Sequence, residues 1–174
     1  MSYQGGSARW DERATRAAHI LIAAGVWITI TGMDTKAHNR KTIDVVAAII
    51  CHDGKFLATQ RGYGELAGGW EFPGGKIERG ESPEAALVRE IQEELDATIG
   101  VDELLTIVDY DYEKFHLHMY CYLAHIEKGQ PHLLEHSAAK WLNRETANSV
   151  DWLPADIQVV EAILDSSALE DESQ

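Results

Sequence analysis

The chain has 174 residues, enough for one domain with an extension. Fifteen Lys and Arg residues stand against 29 Asp and Glu residues, a formal net charge of −14, which argues against a nucleic-acid polymer as partner because that footprint is a basic stripe. Charged residues at 25% and hydrophobic residues at 45% exclude wholesale disorder, and two cysteines, Cys51 and Cys121, are too few for a disulfide framework or a four-cysteine zinc site. A reduced, cytoplasmic setting is expected. A nucleotide substrate stays open, because a carboxylate-rich site binds phosphates through divalent metal.

Residues 1–42 differ from the rest. Arg9, Arg13 and Arg16 precede a mostly apolar run over residues 17–30, broken by His19, Gly25 and Thr29. The run is shorter than the roughly 20 residues needed to span a bilayer, and Ile-Thr-Gly is a poor cleavage signal. An N-terminal extension and linker is expected over 1–42, disordered or forming a short helix, with Met33 as an alternative start. Residues 35–42 are polar and read as linker, and no stable membrane partner is expected. A domain over 43–165 and an acidic tail over 166–174 complete the organisation.

Residues 43–50 form a nearly continuous apolar run, the pattern of a buried strand. Asp53-Gly54 is a two-residue hairpin signal, with Lys55–Arg61 as the returning strand. Gly62, Gly64, Gly68 and Gly69 mark a mobile loop, and Pro73-Gly74-Gly75 predicts a tight turn. Ser82 as N-cap, Pro83 at the first helical position and Glu84 in the first turn predict a helix to Leu95, stopped at Asp96. Residues 104–112 and 115–126 read as two long strands, 138–142 as a short one, and 154–164 as a final helix opened by Pro154. The fold class is α+β, a mixed β-sheet between helices. Both cysteines fall in strands and are expected as buried apolar groups.

At about 100° per residue, Leu87, Val88, Ile91 and Leu95 share one face of the first helix, and Glu90, Glu93 and Glu94 the neighbouring one. Like charges one turn apart destabilise a helix by about a few tenths of a kcal/mol each, a sign that Mg²⁺ or Mn²⁺ would reverse. Arg89 is expected well round from these carboxylates, pairing with Glu81 to brace the turn before the helix.

Gly75, five residues, Glu81, seven residues, then Arg89-Glu90-Ile91-Gln92-Glu93-Glu94 resembles the box of the Nudix hydrolases. Asp96 stands where that family has glycine; Asp tolerates the left-handed conformation better than most residues. Trp70 to Glu78 is similar to the segment that opens the box in the mutator-type nucleoside triphosphate hydrolases. Glu135-His136 with Lys140-Trp141, and residues 152–157, resemble the CTP pyrophosphohydrolase branch. The likeness covers about residues 43–165 and implies a Nudix-type α/β/α sandwich.

The resemblance implies metal-dependent hydrolysis of a nucleoside triphosphate (CTP, dCTP, a methylated cytosine deoxynucleotide or 8-oxo-dGTP) to the monophosphate and pyrophosphate, a nucleotide-pool sanitation activity. Gly74, Glu90, Glu93, Glu94 and Glu135 would hold Mg²⁺, with Mn²⁺ as a substitute. Glu90 is the first candidate for general base and Glu135 the second, while Arg89 and Glu81 complete the catalytic set. Arg61 and Lys76 would meet phosphate or sugar, and Asp156 and Phe72 the base; Trp70, Tyr63, His118 and Tyr120 are weaker candidates for the pocket wall. The rival readings are a nucleoside diphosphate sugar or dinucleotide hydrolase and a non-catalytic nucleotide sensor, though a sensor would show a damaged glutamate triad.

Overall fold

The structure is a computed structural model that describes residues 40–170 in full and, before them, the backbone of two short strands. Ala18–Leu21 (β1) and Trp27–Ile30 (β2) pair antiparallel, with Ala18 opposite Ile30 and Leu21 opposite Trp27. Within the extension expected over residues 1–42, these two segments pair as strands. Ile28, Thr29 and Ile30 are β-branched and lose side-chain freedom in a helix, which favours the strand. The arginines at 9, 13 and 16, Met33 and residues 171–174 lie outside the described residues.

The second unit holds Lys41–His52 (β3), Lys55–Arg61 (β4), Trp70–Glu71 (β5), Gly74–Lys76 (β6), Pro83–Leu95 (α1), Thr98–Asp111 (β7), Phe115–Lys128 (β8), His136–Leu142 (β9) and Pro154–Asp165 (α2). Strands run in the order β5-β4-β3-β8-β7, with β6 added to β3 and β9 to β4. β3 and β8 are parallel and the remaining pairs antiparallel, so the sheet is mixed.

β3 shows why its sequence is apolar throughout. Val46, Ala48 and Ile50 pack on one face with Leu57, Ala86, Leu87, Ile91 and Leu95, against α1. Ala47 and Ile49 point the other way, into a second cluster with Phe56, Phe72, Val159 and Ile163, against α2. A strand buried on both faces has no polar alternation to display. The expected sandwich, a mixed sheet between helices, is the one observed. Leu169, after α2, is buried in the second cluster.

The β3–β4 hairpin turns on Asp53 (φ 48°) and Gly54 (φ 65°), two positive φ values in succession, as the tightest right-twisting hairpin requires. α1 is bounded as its residues dictate: the Ser82 side chain accepts from the Ala85 N–H, Pro83 opens the helix, and Asp96 closes it in the left-handed region at φ 49° and ψ 36°.

Several expectations need correction. β3 begins at Lys41, taking in the last two residues expected as linker, because the long β8 offers partners as far as Phe115. Residues 74–76 continue from Pro73 as a strand along β3 instead of a simple turn. β7 begins at Thr98, its first residues pairing with the end of β8 across register shifts near Asp102 and Glu103; that acidic pair is a bulge and not a loop. Val88 is exposed, while Ala86 takes its place beside Leu87 in the core. Cys121 is buried but Cys51 only half-buried, and burial pushes both thiols well above their ordinary range.

Candidate active site

A cleft of about 700 Å³ is lined by β6 and the second half of α1 and by residues at the β7–β8 turn. Of the residues given a catalytic, metal-holding or substrate-binding role from the sequence, all but Gly74 and Glu81 line its walls, while the weaker candidate Trp70 does not. Those two lie directly behind it: the Gly74 N–H donates to Glu94 Oε2 at 3.0 Å, and Glu81 holds Arg89.

Arg89 is the knot of the acidic end. Its Nε and Nη2 donate to the two oxygens of Glu81 at 3.0 and 2.9 Å, and Nη2 also reaches the Lys76 carbonyl at 3.0 Å. The expected brace is therefore present. Arg89 was also expected well round from the carboxylates, and here the geometry differs: Nη1 donates to Glu90 Oε1 at 2.8 Å and lies 3.4 Å from Glu93 Oε2. A long arginine stem lets one guanidinium serve the turn and the helix at once. The Glu81 side chain, and then Glu90, hold the guanidinium charged well beyond its ordinary range. Glu81 is in turn held below the usual carboxylate range by Arg89.

Glu90 lies flat against the strand before the helix. A Cβ on Gly75 would come within 2.4 Å of its carboxyl carbon, so only glycine admits the carboxylate there. Gly74, at φ 152°, would put a Cβ 2.1 Å from the Val46 carbonyl oxygen. These two close approaches are the structural reason for the glycine pair.

Glu94 is 9% exposed, and desolvation pushes its carboxyl up to about 7 despite the opposing influence of His136 and of the Gly74 N–H. Glu71 and Glu90 add to the upward push, as nearby like charges do. After α1 the chain is fastened to the helix end, because His132 N–H donates to the Leu95 carbonyl and Leu134 N–H to the Glu94 carbonyl. That fastening fixes the start of the segment carrying Glu135, whose Oε2 accepts from the Tyr63 hydroxyl at 2.6 Å.

α2 delivers Asp156 to the cleft. Residues 151–153 bond both sides of Trp70, Trp70 N–H to the Asp151 carbonyl and Leu153 N–H to the Trp70 carbonyl, which sets the entry to α2 beside β5. Asp156, 6% exposed, accepts from the Phe72 N–H at 2.9 Å, and burial pushes its carboxyl up to about 7. Phe72 borders the cleft but is buried, stacked on Trp152 with ring centroids 5.0 Å apart. Trp70 is buried under Lys140, and Tyr63 is exposed at the rim. Lys76 is an exposed wall residue.

His118 and Tyr120 do not border the cleft, contrary to one sequence expectation. His116 and His118 instead pair with Asp109 and Asp111 across the neighbouring strand. Conversely, Glu71 and His136 were not singled out, yet both border the cleft. Glu71 is buried and paired with Arg61, and His136 lies with its Nε2 3.5 Å from Glu71 and 4.0 Å from Glu94. The sequence did carry a signal for the first: a charged residue between Trp70 and Phe72, in an otherwise apolar segment.

Hard oxygen donors lining one cleft suit a divalent cation. The side chains do not yet converge, however: among the described residues no three His, Cys, Asp or Glu side chains stand close enough to share an ion. Arg89 occupies one oxygen of Glu90 and approaches Glu93 instead.

A family model described as NUDIX domain matches residues 41–163. With that match and this fold, the chain belongs to the Nudix hydrolases, enzymes that act on phosphoanhydrides and generally need divalent metal. It is 39% identical over 125 residues to the CTP pyrophosphohydrolase of Escherichia coli K12, covering 71% of this chain and 93% of that one. It is 31% identical over 122 residues to the 8-oxo-dGTP diphosphatase of the same organism, covering 69% and 95%. The solved MutT NUDIX hydrolase from Burkholderia pseudomallei superposes with a TM-score of 0.62 at 30% identity, over 71% of this chain and 99% of that one. No helix among the described residues is long and apolar enough to cross a membrane.

Proposed function

We propose that the protein converts a nucleoside triphosphate to the nucleoside monophosphate and pyrophosphate, and so cleanses the nucleotide pool in a cytoplasmic setting. The candidate substrates are CTP, dCTP, methylated cytosine deoxynucleotides and 8-oxo-dGTP. One observation carries this reading: a single cleft is lined both by the acidic residues of α1 and by a separate buried acid, Asp156 on α2, beside Phe72. Such a cleft suits a ligand with a polyphosphate tail and a polar-edged base. The named relatives support the same class.

Glu90, Glu93 and Glu94 on α1, the Gly74 carbonyl and Glu135 are the oxygen donors proposed to hold Mg²⁺. When bound, the ion would supply neutralising charge for a polyphosphate and Lewis acidity. Arg89 keeps Oε1 of Glu90 and leaves Oε2 as the oxygen that receives the proton of the attacking water. Glu135 is the second candidate for that proton, since Tyr63 holds its Oε2 and leaves Oε1 to receive it. Arg61 and Lys76 meet anionic oxygens of the tail. Phe72 and the wall around it bound the base, and the Asp156 carboxyl faces its edge, accepting from an exocyclic amine when ionised and donating when protonated.

The experiment is a kcat/KM comparison across these nucleotides with Mg²⁺, because discrimination resides in that ratio. Release of pyrophosphate from at least one triphosphate, with Asp156→Asn changing the order of preference among bases, is the expected result. Cleavage confined to nucleoside diphosphate sugars or dinucleotides would overturn the triphosphate reading.

A further inference from the structure

We propose that Glu71 is the positioning residue of this cleft: it fixes Arg61 as a rigid, one-sided hand for the anionic oxygens of the substrate tail. The inference rests on the reading of the cleft as a polyphosphate site and adds a residue that reading does not use.

An arginine at a strand end is ordinarily a loose cation. Here Nε and Nη2 of Arg61 both donate to one oxygen, Glu71 Oε2, at 2.9 and 2.6 Å. Two converging bonds from one edge of a planar group orient it as well as hold it in place. Nη1, the remaining nitrogen, makes no hydrogen bond among the described residues, and the side chain is 37% exposed on the cleft wall. The guanidinium is therefore held along one edge and open along another.

The holder is itself held. Glu71 lies opposite Thr59 in the β4–β5 ladder, and the Thr59 hydroxyl donates to the Glu71 carbonyl at 3.2 Å. Its second oxygen, Oε1, faces Nε2 of the buried His136 at 3.5 Å, so each oxygen of Glu71 has its own nitrogen neighbour. Arg61 is equally constrained at the backbone: its N–H donates to the Gly69 carbonyl, its carbonyl accepts from Gly68, and the β4–β9 register shifts between Gln60 and Arg61. A bulge at that point re-aims the side chain. A buried carboxylate costs desolvation that only a well-made pair offsets, and the two hydrogen bonds from Arg61 make that pair here.

The test uses the full chain and inorganic tripolyphosphate with Mg²⁺, a probe without base or sugar, titrated calorimetrically alongside nucleotide turnover. Glu71→Gln is expected to weaken binding by roughly tenfold to a hundredfold, the worth of a charge-assisted pair. In an Arg61→Ala background the same change is expected to cost nothing further, because the residue acts through the arginine. Millimolar guanidinium should restore tripolyphosphate binding to Arg61→Ala but not to the double variant. A merely structural role for Glu71 would show the opposite, an equal loss in both backgrounds or equal rescue of both, and either result overturns the proposal. Should Glu71→Gln fail to fold, Arg61→Lys carries the test: a fixed fork predicts a loss close to that of Arg61→Ala, whereas near wild-type affinity contradicts it. Coupled binding in a protein that releases no pyrophosphate from any triphosphate would reject the assigned reaction and leave the positioning role standing.

Discussion

Asp156 and Glu94 come to the cleft from different helices, and each is a carboxyl taken largely out of water. For Asp156 the consequence is a definite dependence of stability on pH. Its ordinary value is 3.8 and burial pushes it up to about 7, so between those values the folded chain keeps a proton that the unfolded chain has released. The folded state then binds more protons, and stability falls as pH rises through that window. Asp156→Asn keeps an oxygen for the Phe72 N–H and removes the charge. Urea unfolding should show the variant close to wild type near pH 4 and more stable by about 1–3 kcal/mol at pH 8. A wild-type and variant gap that does not change with pH would show that the carboxyl is ionised without penalty in the folded chain. Glu71 and His136 belong to the same scale, and neither role was legible beforehand. Glu71 draws its meaning from Arg61 ten positions earlier and His136 from residues on two other elements, contacts that exist only once the sheet is assembled.

Among the elements, α1 was the most legible, because cap, proline, apolar face and acidic face all agree on one helix over Pro83–Leu95. β6 was the least, since Pro73-Gly74-Gly75 has no strand propensity of its own. It becomes a strand because the edge of β3 accepts its hydrogen bonds, and its glycines make room for the Val46 carbonyl and the Glu90 carboxylate. The end of α1 also departs from the family pattern. Asp96 holds a left-handed conformation that glycine adopts without steric cost, while its carboxylate accepts from Gln92 at 3.0 Å on an exposed surface. Asp96→Gly is therefore expected to stabilise the protein by about 0.5–1 kcal/mol, the relief of a left-handed non-glycine residue outweighing one exposed hydrogen bond. A shift of the urea midpoint to higher concentration would bear this out; a shift to lower concentration would show that the Gln92 contact governs the helix end.

For the molecule as a whole, the chain divides at residue 39: residues 1–39 form one unit, and residues 40–174 carry the sheet, both helices and the entire cleft. The sequence showed the second unit clearly, since its two-sided apolar strand and capped helices leave few alternative folds. It was nearly silent on the first, whose arginines and apolar run fit more than one conformation. A chain shortened to residues 40–174 is expected to keep its thermal midpoint within a few degrees and its kcat/KM within about twofold, as an independently cored domain should. A large loss of either would mean that the first unit contributes to the hydrolase.

The central claim concerns the acidic ridge of α1, and its most direct test is product analysis with Mg²⁺ and a nucleoside triphosphate, read by phosphorus NMR. Wild type should release pyrophosphate and monophosphate in equal amounts, and Glu93→Gln combined with Glu94→Gln, shown to be folded, should slow that release by about a hundredfold or more. Equal pyrophosphate release from wild type and the double variant, or orthophosphate as the first product, would contradict it.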